Sequence, residues 1–144
     1  MEEIIMAKFE SSIKQIAYPQ EAVYRCISDL SNIERLRDRI PSDKFEKLTF
    51  TSDEITIESP VGEVTMRIIE RDEPKCVKFE TAQSPVPMNM WVQMLPVTEQ
   101  TSKIRVTIDA DVPIFLKGMV SKPLQEAVEK IAESLAIIPY SPND

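Results

Sequence analysis

The chain has 144 residues, of which 42% are apolar, so one domain can bury a hydrophobic core without disulfide or metal support. Its 24 acidic and 17 basic residues give a formal net charge of -7, which repels nucleic acid phosphates and anionic surfaces. We therefore expect a single domain over residues 1–144 and no nucleic acid partner.

The sequence contains no histidine, which is the most common general base and transition-metal ligand in proteins. Its two cysteines, Cys26 and Cys76, lack the close spacing of metal-binding thiols, so we expect two buried free thiols and no metal or other cofactor. The N terminus lacks a signal-peptide pattern, and no run approaches the roughly 18 apolar residues that cross a bilayer. These features predict a cytoplasmic protein without integral membrane association.

The first predicted elements are a strand and a helix. Alternating polar and apolar residues predict a strand over residues 7–17. Its drier face carries Phe9, Ser11, Ile13 and Gln15. Pro19 suits the first turn of a helix. The buried stripe of this helix has a spacing of three and four residues and consists of Val23, Cys26, Ile27 and Leu30.

A second short helix is predicted to follow directly. Ser31 and Glu34 have the spacing of a capping box, which begins a helix, and Pro41 ends it. The inward residues of this helix are Ile33, Leu36 and Ile40. Its exposed face carries the only basic concentration of the chain, Arg35, Arg37 and Arg39. Because acidic residues interleave with these arginines, we interpret the face as solvated, with an anionic headgroup site as the alternative.

The middle of the chain changes to the alternating pattern of strands. Six segments are predicted, over residues 45–51, 54–59, 63–71, 75–82, 88–95 and 103–112. The connections are too short for crossover helices, so neighbouring strands must run antiparallel. In the last segment, one face is apolar and consists of Ile104, Val106, Ile108 and Ala110.

Residues 113–138 return to helical spacing and predict a long C-terminal helix that covers the sheet. Its apolar stripe consists of Leu124, Val128, Ile131 and Leu135. Gly118 is a weak helix former, and Pro123 lacks an amide proton. We therefore expect a kink or short break between these two residues, which would let this segment act as a gate.

This order of elements resembles the START/Bet v 1-like superfamily, also called SRPBCC or polyketide cyclase-like. The residues that carry the resemblance are the strand 9–16 entering the motif at 18–24, the helix joint at 28–32, and the segment 115–119 leading into 124–127. The resemblance implies an α+β helix-grip fold, in which a seven-stranded curved antiparallel sheet grips a long C-terminal helix, with two short helices between strands 1 and 2. It also implies a pocket between sheet and helix for lipids, sterols, polyketides or plant hormones.

Strand alternation and the helical stripe together predict a ligand site for a small hydrophobic molecule. The predicted ligand-binding residues are Met66, Ile68, Phe79, Met90, Val92, Val106, Ile108, Phe115, Met119, Leu124 and Val128. Methionine side chains adapt to varied apolar shapes, although they also fill irregular cores. Our first hypothesis is therefore a noncatalytic binding protein for an apolar or amphipathic ligand.

Two other functions stay open at this point. Resemblance to cyclases and aromatases implies an enzyme that acts on a polyketide-like substrate, for which Tyr24, Ser11 and Gln15 would supply polar groups. Resemblance to members that stimulate chaperone ATPases implies a protein-interaction module. Its contact surface would be the outer face of the sheet, where alternation places Trp91 unless a bulge near Pro87 turns the ring inward.

Overall fold

The computed structural model describes residues 3–39, 48–59, 62–84 and 86–140. The strands are β1 (Ile4–Glu10), β2 (Lys14–Ile16), β3 (Thr49–Phe50), β4 (Glu54–Ser59), β5 (Gly62–Asp72), β6 (Cys76–Gln83), β7 (Met88–Pro96) and β8 (Ser102–Pro113). The helices are α1 (Gln20–Ile27), a 3-10 helix (Leu30–Arg39), a 3-10 turn (Ile114–Leu116) and α2 (Lys117–Ala136). Within the described part of the chain, no helix is both long enough and apolar enough to cross a membrane.

The strands form one antiparallel sheet in the order β1-β8-β7-β6-β5-β4-β3, and β2 also pairs with β8. Since β1 and β2 are two pieces of one interrupted edge strand, the predicted seven-stranded α+β architecture is confirmed. The five predicted strands between residues 54 and 112 all form, with ends that differ from the prediction by only one residue. Residues 45–47 of the predicted segment 45–51 lie outside the described residues.

The edge strand contains an extra residue that sequence alternation did not predict. Phe9 pairs with Ile108, whereas Lys14 pairs with Ile104, so five residues on one strand face four on the other. This bulge reverses the alternation. Consequently Ile16 is buried and Ile13 is 55% exposed. The prediction that Ile13 and Gln15 continue the dry face of Phe9 and Ser11 is therefore wrong.

α1 and the 3-10 helix that follows it pack their apolar stripe into the core, as predicted. Val23, Ile27 and Leu30 are buried. The predicted capping box is wrong, because Asp29 rather than Ser31 acts as the cap: its Oδ1 accepts from the Ser31 amide at 3.0 Å. The predicted inward residue Ile40 and the predicted helix end at Pro41 lie outside the described residues, as does the side chain of Leu36.

α2 runs from Lys117 to Ala136 without interruption, so the predicted break near Pro123 is absent. It buries the stripe Val120, Leu124, Val128 and Ala132. This stripe fixes the rotation of the helix, because each residue turns the side chain by about 100°. Met119 therefore points away from the sheet and is 72% exposed, while Phe115 precedes the helix and is 62% exposed. The prediction that these two residues face the sheet is wrong.

The two faces of the sheet differ as alternation predicts. The inner face is dry, and on β8 it buries Ile104, Val106, Ile108 and Ala110. The outer face carries ion pairs such as Arg67 with Glu80 at 2.9 Å. Trp91 lies on this outer face, where the ammonium of Lys78 lies 5.1 Å from the centre of its ring. The core therefore occupies the inner face alone, beneath the helices.

Candidate ligand-binding cavity

A cavity of about 410 Å³, partly open to solvent, lies between the inner face of the sheet and the helices. Strands β4 to β7 form its floor, α2 forms one side, and α1 with the 3-10 helix forms the other. The apolar residues that line it are Ile27, Leu30, Ile33, Leu48, Ile55, Ile57, Met66, Phe79, Met90, Val92, Ile131, Leu135 and Ile138.

The cavity exists because α2 does not cover the whole sheet. α2 packs against β8, β1 and β2, which form one side of the sheet. α2 thus leaves the inner face of β4 to β7 uncovered, and α1 covers part of it at β6 and β7. Alternation still points apolar side chains inward on these strands. The side chains of Ile55 and Ile57 are half-buried and line the cavity.

The opposite side of the cavity is held in place by polar contacts. Gln20 at the start of α1 donates from Nε2 to the Met94 carbonyl at 2.9 Å, which fixes α1 against β7. Arg71 donates from Nε to the Ser28 carbonyl at 2.9 Å, and its Nη2 lies 2.6 Å from Asp53 Oδ1. These contacts tie the junction after α1 to β5 and to the turn before β4. The residues on this side are therefore positioned by the scaffold.

Few polar residues line the cavity within the described part of the chain. They are Cys26, Asn32, Lys130 and Ser134. The Asn32 amide is occupied, because Nδ2 donates to the Asp29 carbonyl at 3.0 Å and to the Cys26 carbonyl at 3.2 Å. Among the described lining residues, Lys130 alone carries a charge, and it lies at the solvent-exposed rim. The interior of the cavity is thus almost entirely hydrocarbon.

The structure brings together some of the predicted ligand-binding residues and not others. Four of them line the cavity: Met66, Phe79, Met90 and Val92. Five are buried in the core outside the cavity lining: Ile68, Val106, Ile108, Leu124 and Val128. Phe115 and Met119 are exposed at the start of α2, away from it. Ile27, Leu30, Ile131 and Leu135 also line the cavity. The sequence analysis assigned these four residues to the apolar stripes of the helices but did not include them in the predicted ligand-binding set.

The polar residues predicted for an enzyme lie outside this lining. The Ser11 hydroxyl accepts from the Val106 amide at 2.9 Å and so completes the bulge. Gln15 is exposed, and Tyr24 on α1 is buried. Burial, followed by the nearby Glu73 carboxylate, raises the pKa of Tyr24, which keeps its phenol protonated. Within the described residues, no group of acidic or thiol side chains is arranged to hold a metal ion.

A curved antiparallel sheet that holds a long C-terminal helix beside an apolar cavity defines the Bet v 1-like, or START-like, class of helix-grip proteins. The chain belongs to the family described as polyketide cyclase / dehydrase and lipid transport, whose model matches residues 6–136. Comparison with curated proteins finds no match.

Solved structures share this fold at low sequence identity. Norcoclaurine synthase from Thalictrum flavum matches with a TM-score of 0.73 and 14% identity, over 92% of this chain and 86% of that one. TTHA0849 from Thermus thermophilus matches with a TM-score of 0.62 and 17% identity, over 90% and 94%. A START superfamily protein from Mycobacterium smegmatis gives 0.52 and 14%, over 90% and 98%. At these identities the likeness shows the fold alone.

Proposed function

We propose that the protein binds a small apolar or amphipathic molecule in this cavity without transforming it. The observation that carries the proposal is the cavity itself, whose volume of about 410 Å³ falls within the roughly 300–1,000 Å³ typical of small-molecule sites. Water in a hydrocarbon-lined space finds few hydrogen-bond partners. A ligand that replaces this water gains the free energy of burying apolar surface.

The side chains of the lining suit a ligand of variable shape. Met66 and Met90 contribute unbranched thioethers, which fill irregular spaces and adapt to different hydrocarbon surfaces. Phe79 on β6 contributes a flat apolar surface between β5 and β7, where it pairs with Ile68 and with Met90. These properties favour recognition by shape and hydrophobicity rather than by a set of directional hydrogen bonds.

Catalysis is the alternative function. Norcoclaurine synthase is an enzyme by name, and one of its structures contains dopamine and hydroxybenzaldehyde. In the present chain, Tyr24, Ser11 and Gln15 lie outside the cavity lining, so these predicted polar groups would not touch a molecule bound there. Their positions favour binding over turnover.

A binding assay with a neutral apolar fluorophore tests the proposal. N-phenyl-1-naphthylamine should bind the wild-type protein at one site and gain fluorescence there. Met66→Trp places an indole in the cavity and should weaken this binding at least tenfold, because the ring occupies the ligand's volume. Native mass spectrometry of freshly purified protein should also detect a copurifying lipid-like mass.

The matched control is Met6→Trp, since Met6 is exposed on the outer face of the sheet. This variant should bind the fluorophore as the wild type does. Ile131→Phe provides a second obstruction, from α2 instead of the sheet, in case Met66→Trp does not fold. Equal binding by the wild type and a folded obstructed variant would show that the fluorophore binds elsewhere, and the proposal would fail.

A further inference from the structure

The rim of the cavity carries a cation and a hydroxyl on the same side of α2. Lys130 and Ser134 are four residues apart, so their side chains are neighbours on the helix surface. Both belong to the cavity lining and both are exposed. A group bound at this point of the rim would contact an ammonium and a hydroxyl together.

The ammonium of Lys130 is available for a ligand. None of the ion pairs among the described residues involves it. The adjacent Glu129 is directed elsewhere, because its carboxylate accepts from the Ser12 amide and hydroxyl and lies 3.8 Å from Lys14 Nζ. The described cavity lining contains no acidic residue. The described lining thus contributes one positive charge and no negative charge at the entrance of a protein of net charge -7. Glu126 and Glu133, one turn before and after Lys130 on α2, are exposed and lie outside this lining.

The size and polarity of the cavity restrict the ligand further. A volume of about 410 Å³ equals roughly 14 water molecules at about 30 Å³ each, which is enough for one medium-length hydrocarbon chain. Such a chain would lie against Phe79 and Met90 with its end toward Lys130. A cationic head group would be repelled by Lys130, and a neutral one would gain little from it.

Taking the proposed function as its basis, we propose that the ligand is a single-chain amphiphile with an anionic head group, such as a medium-chain carboxylate. Lys130 and Ser134 bind the head group at the rim, and the apolar lining binds the tail. The lysine stem covers apolar surface while its ammonium stays in water, where it meets the carboxylate. The site thereby selects for charge at one end of the ligand.

Displacement of N-phenyl-1-naphthylamine by dodecanoate, dodecan-1-ol and dodecylammonium tests this assignment. Lys130→Met should weaken dodecanoate binding about fivefold, the upper range for a solvent-exposed ion pair. Lys130→Glu should weaken it further, because it replaces attraction by repulsion. The affinity for dodecanoate is compared as a ratio to the affinity for dodecan-1-ol, because a change at Lys130 can also alter the apolar rim that both tails contact. Lys130→Glu should strengthen dodecylammonium binding.

Lys122→Met is the matched control, since Lys122 is an exposed lysine of α2 outside the cavity lining. It should leave dodecanoate binding unchanged. If the fluorophore binds but dodecanoate binds equally to wild type and Lys130→Met, the head-group assignment is wrong and the binding function stands. If the fluorophore does not bind the wild type at all, the proposed function itself fails.

Discussion

At the scale of single residues, Tyr140 secures the chain just after α2. Its ring is 2% exposed and meets Tyr18 edge-on, with centroids 5.8 Å apart. Its hydroxyl donates to the Leu135 carbonyl at 2.6 Å. Because Leu135 and Ile138 line the cavity, this one hydrogen bond helps to position the wall at the end of α2.

Tyr140→Phe should lower the free energy of unfolding by about 1 kcal/mol at neutral pH, since it removes a buried hydrogen bond and keeps the ring. Burial, followed by the nearby Cys26, raises the pKa of the Tyr140 phenol far above its usual range. A raised folded-state pKa means that the protonated phenol stabilises the fold below about pH 10 and that this contribution declines at higher pH. The variant should therefore lose less stability than the wild type between pH 9 and about pH 11.

Urea unfolding at several pH values measures both effects. Tyr18→Phe is the control, because the structure shows no hydrogen bond from its hydroxyl to a described residue. It should match the wild type at neutral pH. A Tyr140→Phe variant as stable as the wild type at neutral pH and equally sensitive to alkali would contradict the role assigned to the hydroxyl.

The sequence predicted individual residues well where alternation alone decides their direction. Met66, Phe79, Met90 and Val92 were predicted to face inward, and they do. Alternation failed at Ile13, because the bulge depends on how the edge strand pairs with β8 and on the Ser11 hydroxyl. A tertiary contact of this kind leaves no periodic signal in the local sequence.

At the scale of elements, α2 is attached to the interrupted edge strand by two side chains. Gln125 donates from Nε2 to the Glu10 carbonyl at 2.9 Å. Glu129 accepts from the Ser12 amide and the Ser12 hydroxyl and forms an ion pair with Lys14, and these contacts in that order lower the pKa of its carboxyl. The interruption frees backbone groups from the strand ladder, and α2 satisfies them. The interruption of the edge strand therefore helps to hold α2 over this side of the sheet.

The predicted break in α2 shows why residue propensities alone are a weak guide. Gly118 and Pro123 both disfavour a helix, yet the helix passes through both. Val120, which lies between these two residues, and Leu124, which directly follows Pro123, are both buried in the core. Packing of an apolar face supplies most of the stability of a helix in a protein, so it overrides the two unfavourable residues.

Gly118→Ala should raise the free energy of unfolding by about 0.5–1 kcal/mol, because alanine loses less backbone entropy in a helix. A Cβ atom at this position meets no atom within 4 Å, so no clash offsets the gain. The same change at Gly62 serves as a control of opposite sign, since its φ of 116° is strained for any side chain. Chemical denaturation measures both. No gain from Gly118→Ala would indicate that residue 118 needs a conformation other than helical, as a gate would require.

At the scale of the whole molecule, the sheet separates an apolar interior from a charged exterior. A groove of about 220 Å³ on the outer face is lined by Trp91 and by Lys8, Glu10, Gln93, Arg105, Thr107 and Asp109. The fold class followed from the order of elements, but the cavity volume did not. That volume depends on the path of α2 across a sheet wider than the helix, which is a property of the assembled layers.

The reactivities of the two cysteines can be used to probe opposite faces of this sheet, because Cys26 lines the cavity and Cys76 lies in a groove on the outer face. Neither cysteine forms a disulfide bond with another described residue, and both are half-buried. Saturating N-phenyl-1-naphthylamine should slow alkylation of Cys26 by iodoacetamide at least tenfold, since a ligand between the layers blocks access. Alkylation of Cys76 should keep its rate.

Peptide mass spectrometry after timed alkylation gives both rates in one sample, so Cys76 is an internal control. Burial, followed by the Asp72 carboxylate, raises the pKa of the Cys76 thiol, so its rate should increase with pH well above the usual range for a thiol. Each thiol is therefore compared with itself, with and without ligand, at one pH. Equal slowing of both would indicate general stabilisation of the fold, and slowing of Cys76 alone would place the ligand on the outer face.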